Sequence, residues 1–112
     1  MINGKLNNYN RNSGEVTIGT AKTAMGESGY DVQGYDLKTI QVYNNSAHPF
    51  TSGVVEVSND NVHWGTLIGI YGGTLAAGVM WNYVVENSYK YIKFGAAAGV
   101  GSLAKGQVWM TF

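Results

Sequence analysis

The residues able to do chemistry are few and scattered. His48 and His63 show neither the spacing of a ligand pair nor an HExxH context, so a metal site would need carboxylates to complete its shell. Asp31, Asp36, Glu56, Asp60 and Glu86 are the raw material for a glycosidase-type acid/base pair, yet a turn or a solvent-facing strand position accounts for each. There is no G-x-S-x-G elbow, and Gly101-Ser102-Leu103 does not supply one. Gly99-Val100-Gly101-Ser102-Leu103-Ala104 matches G-x-G-x-x-A, but too little sequence follows for the crossover helix and acidic ribose ligand that give this pattern its meaning. Ser58-Asn59-Asp60-Asn61 is dense in oxygen ligands, but it lacks the spacing and closing glutamate of a calcium loop and reads as a β-turn. The expectation is a protein that is not an enzyme, with no catalytic residue, no metal and no cofactor. Interleaved tyrosine and tryptophan can stack on sugar rings, which makes carbohydrate the strongest small-ligand alternative.

Composition narrows the partners. Seven basic and seven acidic side chains cancel, leaving no net field to draw in nucleic acid or an anionic membrane, and neither is expected as a partner. Charged residues make up only 12% of a chain that is 45% apolar, about half the usual share, so asparagine, serine, threonine, tyrosine and glycine must supply most of the polar surface. Such a surface costs less to desolvate than one rich in lysine and glutamate, which favours burial against a partner. With no cysteine there is no disulfide or thiolate chemistry, and stability must come from packing. Met1-Ile2-Asn3-Gly4-Lys5 lacks the apolar core of a signal peptide, and no stretch approaches the roughly 20 apolar residues of a membrane helix.

The elements that would position these residues are strands. Residues 1–14 are polar and asparagine-rich and are expected to form an extended arm, with Leu6 and Tyr9 as anchors on a neighbouring subunit; the domain proper is expected over 15–112. Val16 and Ile18 alternate with polar neighbours, residues 21–34 read as a glycine-punctuated loop, and a strand is expected near 36–44. Pro49 marks a link between strands. Val54–Val57 and a returning strand near 63–71 flank the Ser58–Asn61 turn as a hairpin. Further strands are expected over 79–86, where Val79, Trp81, Tyr83 and Val85 share a face, over 89–95 and over 107–112, with the Gly/Ala run 95–106 as a connection. About seven to eight strands at near-regular spacing and no convincing helix predict an all-β, antiparallel, jelly-roll-like β-sandwich.

The run Val54-Val55-Glu56-Val57-Ser58-Asn59-Asp60-Asn61-Val62-His63-Trp64, with the later Trp81 and Tyr89-Lys90-Tyr91-Ile92-Lys93-Phe94, resembles β-sandwich modules of bacteriophage structural proteins. Discoidin-like sandwiches share the outline, and the resemblance spans about residues 36–112. What it implies is a capsid decoration (cement) protein or another small virion component, made in the host cytoplasm and assembled onto the capsid surface. The implied partners are the major capsid protein or other virion proteins and further copies of the chain, a trimer among the options. Trp64, Trp81 and Trp109 are then the core or interface anchors, with Leu6 and Tyr9 on the arm. The alternative it leaves open is a carbohydrate-binding or receptor-binding sandwich.

Overall fold

Burial that alternates every second residue marks a strand with one wet face, and it runs through most of this chain. In the computed structural model it organises ten strands: β1 Asn10–Asn12, β2 Val16–Ile18, β3 Thr23–Ala24, β4 Tyr30–Asp31, β5 Lys38–Asn44, β6 Phe50–Ser58, β7 Gly65–Gly69, β8 Met80–Val85, β9 Tyr91–Ala98 and β10 Ala104–Thr111. The structure describes residues 10–35, 37–70, 74–86, 88–99 and 103–112. Leu6, Tyr9 and Asp36 therefore lie outside the described residues, as does most of the span expected to be an arm. Within that span, Asn10–Asn12 is strand β1 of the sandwich.

Two antiparallel sheets face one another. In the first, β10 lies between β5 and an edge formed by β1 and β2 in succession, and β8 lies on the far side of β5. In the second, β9 lies between β6 and an edge formed by β3 and β4, and β7 lies beyond β6. Each edge pair acts as one strand broken in the middle, so ten strands occupy eight positions and the expected jelly-roll-like sandwich is what the chain forms. The pairing is nested: β6 with β7, β5 with β8, β3 and β4 with β9, β1 and β2 with β10. It is one long hairpin rolled up on itself, and apart from the β6–β7 turn every link between positions crosses from one sheet to the other.

Inward residues fill the space between the sheets. Ile40 and Val42 of β5, Val108 and Met110 of β10, Val55 of β6 and Ile92 and Phe94 of β9 are fully buried. Each contributes about 1.5–3 kcal/mol by leaving water. Phe50 packs over the backbone at Gly106 so closely that a Cβ there would run into its ring and into the Tyr43 carbonyl oxygen at 2.7 Å. Gly26, in the left-handed region at φ +87°, is likewise open to the Tyr30 hydroxyl only because it has no side chain. Burial pushes the Tyr30 phenol above its usual range.

Several elements depart from the sequence-based expectation. The 21–34 loop contains β3 and β4, and the Gly/Ala run expected as a connection is largely strand: Gly95–Ala98 ends β9 and Ala104–Gly106 begins β10. At Gly106 the Phe50 ring and the Tyr43 carbonyl leave no room for a side chain, whereas Gly95–Ala98 is strand because β3 and β6 pair with it on either side. In β7, Ile68 pairs with Val55 but Thr66 pairs with Glu56, so Leu67 is an extra residue, a bulge that breaks the simple alternation.

One buried amide ties the two sheets together. Asn44, fully buried at the end of β5, donates through Nδ2 to the carbonyls of His48 at 2.8 Å and Leu75 at 3.0 Å. Its Oδ1 accepts from the Ser46 hydroxyl at 2.7 Å and the Ser46 amide at 3.1 Å, and its backbone pairs with Val79 and Gly78. His48 lies in the link from β5 to β6, and Leu75 and Gly78 lie in the link from β7 to β8. Asn44→Leu keeps the branching at Cγ but removes all four side-chain hydrogen bonds of this amide, so it should lower unfolding free energy by about 1–3 kcal/mol in a urea titration.

Candidate interaction surface

The outward face of the first sheet is built by the alternate residues that the core does not use. The registers align them in rows: Asn12, Trp109, Gln41 and Asn82 run across β1, β10, β5 and β8, flanked by Gln107, Tyr43 and Met80 on one side and Thr111, Thr39 and Val84 on the other. Trp109, Tyr43 and Gln107 are half-buried among their neighbours, while Gln41, Asn82, Met80 and Val84 are exposed. Gln107 Nε2 donates to Asn12 Oδ1 at 2.5 Å, which fixes two of the amides. None of these ten residues carries a charge. Charge on this side lies at its margins, where Lys105, at the far end of β10, stands 4.0 Å from Glu15, and where Glu86 follows β8.

The outward face of the second sheet is different. Lys22 pairs with Glu56 at 3.0 Å, Lys93 stands 4.2 Å above the Trp64 ring, and Asp31 and Gln33 meet beside the Tyr91 hydroxyl. Charges are thus concentrated on one face and nearly absent from the other. A face of amides, hydroxyls and aromatic rings costs less to desolvate than a charged one, and it offers hydrogen-bonding groups to a partner that covers it.

The tryptophans expected as anchors have three different positions. Trp109 faces outward at the centre of the neutral face. Trp81 faces inward near the open side of the sandwich, parallel to Tyr83 at 5.8 Å and tilted against Phe94 at 6.1 Å, so it serves the margin of the core. Trp64 lies at the entry to β7 under Lys93 and beside Gly29, on the charged side. Sequence reasoning missed Gln41, Tyr43, Asn82 and Gln107 as companions of Trp109. The signal was available in the period-two set Thr39, Gln41, Tyr43, but nothing in one strand says which neighbours will continue its row.

The Ser58–His63 turn closes on itself. The Ser58 hydroxyl donates to Asp60 Oδ1 at 2.9 Å and accepts the Asn61 amide, Asp60 Oδ1 accepts the amides of Val62 and His63, and His63 Nδ1 lies 2.7 Å from Asp60 Oδ2. Asn61 takes the left-handed conformation, φ 61°. Beside the turn lies a shallow depression of about 420 Å³ lined by Ser58, Asp60, His63, Thr66 and Tyr89. Ser58 points at Asp60 and not at His63, so the three residues form a clasp for the turn and not a relay from hydroxyl to imidazole. Both histidines are exposed. Glu56 is engaged by Lys22, Asp31 holds the Gln33 amide, and Glu86 follows β8, so these carboxylates sit on separate elements. Among the described residues no group of three or more His, Asp or Glu side chains is arranged to hold a metal ion.

The sequence matches no protein-family model and no curated protein. Among solved structures, the fold is that of a part of the PBSX exported protein XepA: TM-score 0.70, 18% identity, covering 92% of this chain and 36% of that one. The chain thus spans about a third of XepA's length. Two further likenesses, to Bacillus endospore appendages that form disulfide-linked pili (TM-score 0.46, 11% identity, 98% of this chain and 91% of that) and to infectious bursal disease virus Gx strain (0.43, 9%, 97% and 32%), are of general β architecture only.

The hydrogen bonds from His63, Val62 and Ser58 hold the Asp60 carboxyl far below its usual range, the His63 side chain contributing most. A carboxyl whose folded pKa lies below its unfolded value of 3.8 stabilises the fold fully above that value, and the contribution is lost as pH falls through the folded value. Asp60→Ala should therefore lower the melting temperature at pH 6, and thermal scans should show the gap from the native chain narrowing steadily below about pH 4.

Proposed function

We propose that this chain is a non-enzymatic structural component of a virion, a capsid decoration (cement) protein that binds the assembled shell through the neutral outer face of its first sheet. The observation that carries this reading is the charge-free array around Trp109. A patch of aromatic rings, amides and hydroxyls that runs across four strands suits permanent contact with another protein surface, and shared fold with part of a phage-derived exported protein gives it a fitting context. On this reading the partners are the major capsid protein or other virion proteins together with further copies of the chain, and the protein resides on the capsid surface.

A carbohydrate-binding reading draws on the same face, since Trp109 and Tyr43 flanked by Gln41, Asn82 and Asn12 also suit a neutral sugar chain. Direct binding separates the two. Co-sedimentation with purified capsid shells should pellet the native chain, and Trp109→Ala should weaken that association about tenfold or more, the usual effect of truncating a central aromatic anchor, with the melting temperature little changed. Removal of residues 1–9, which contain Leu6 and Tyr9, should reduce shell binding while leaving β1 and the sandwich intact. A native chain that ignores shells and is retained by a neutral glycan would replace the cement reading with the carbohydrate one.

A further inference from the structure

A jelly roll has four sheet edges, and here three are defended. The β1–β2 edge is broken at 13–15 and carries Arg11 and Glu15. The β3–β4 edge is broken between Ala24 and Tyr30 and carries Lys22, Glu27 and Asp31. On the third edge β7 is a five-residue strand that begins and ends in glycine and bulges at Leu67. Breaks, bulges and charges are the devices that keep an edge from pairing with another chain. The fourth edge has none of them. β8 is a continuous six-residue strand in unbroken register with β5, and no Asp, Glu, Lys or Arg occurs from Asn61 through Val85. Among the described residues β5 is its sole strand partner, so every second residue turns its N–H and C=O away from the sheet. Val79, Met80 and Val84, three of the molecule's exposed large apolar side chains, are 44%, 42% and 50% exposed along it.

We propose that β8 pairs antiparallel with β8 of a second copy about a two-fold axis at Asn82, joining the two neutral faces into one sheet eight strand positions wide. The side chains select this occupant and this register. Directly opposed residues of an antiparallel pair share a face, so a self-pairing must be centred on a residue. Centred on Asn82, it sets Met80 against Val84, Asn82 against Asn82 and, on the inner side, Trp81 against Tyr83. Apolar meets apolar, amide meets amide, and aromatic meets aromatic. Moving the centre by one residue sets Met80 against Asn82, or against Glu86. In the Asn82 register Glu86 falls opposite Gly78, so the first charge after β8 meets no like charge. The two-fold also covers the half-buried Trp81 and Tyr83 rings at the open side of the sandwich. The contact is isologous and closes at two copies.

Because the chain has no cysteine, Asn82→Cys tests the register directly. Opposed Cα atoms in such a pair stand about 4.5–5.5 Å apart, within the span a disulfide bridges. The native chain should scatter light as a dimer. Under mild oxidation Asn82→Cys should give a covalent dimer at least tenfold faster than Thr66→Cys on the β7 edge, and the Val84→Lys variant should be a monomer that keeps a cooperative thermal transition. A native monomer at every accessible concentration, or equal cross-linking of the two cysteine variants, would overturn the pairing. Shell co-sedimentation is read separately: a monomer that still pellets with shells removes the β8 pairing and leaves the proposed function standing, whereas an Asn82-linked dimer that ignores shells does the reverse.

Discussion

The two sheets are held in place by one buried side chain at the point where the chain twice passes between them. Asn44 ends β5, and its amide hydrogen reaches His48 in the outgoing link and Leu75 in the returning one. An amide is the one uncharged side chain with donors and an acceptor of this reach, and both are used, so the cost of burying it is met by bonds that no apolar residue can make. Because Phe50 pairs with Leu75 immediately beyond, the position of Asn44 also sets where β6 starts and how Phe50 comes to lie over Gly106. The alignment of β5 with β8, and hence the row Asn12–Trp109–Gln41–Asn82, depends on that pin.

From this frame follows an asymmetry in the molecule. Both sheets alternate in and out with the same period, yet their outer faces were given different chemistry. On the second sheet, ion pairs and a lysine over Trp64 satisfy the surface from within the chain. On the first, amides and rings are left with hydrogen-bonding capacity and apolar area for something else. Exposed ion pairs add little to stability, so the difference is better understood as keeping one face solvated than as strengthening one sheet.

Much of this was legible in the sequence where a strand buries one face: β5, β6, β8 and the start of β9 announce themselves through Ile40 and Val42, Val55 and Val57, Trp81 and Tyr83, Ile92 and Phe94. The Ser58–Asn61 turn was equally plain, because serine, asparagine and aspartate close turns by bonds to their own backbone. What was not legible depends on neighbours. β3 and β4 are two residues each and exist because β9 offers them an edge. Gly106 looks like loop and is strand, because its smallness answers to Phe50 far away in sequence, and Gly95–Ala98 is strand because β3 and β6 come to lie beside it. Trp109 could be placed on a strand but not on a face with Tyr43 and Asn82, since strand order is a property of the whole roll.

The nested pairing has a kinetic corollary. Asn10 pairs with Thr111 and Ile18 with Ala104, so the partners of the earliest strands come from the end of the sequence. On a ribosome that emits the chain from its N-terminus, β1, β2 and β5 wait without β10 between them until nearly all of the sequence has emerged. Domains dominated by such distant contacts fold in roughly milliseconds to seconds. During that wait Val16, Ile18, Ile40 and Val42 lack the strand that lies between them, so the chain presents more apolar surface to aggregation before β10 arrives than the finished sandwich does.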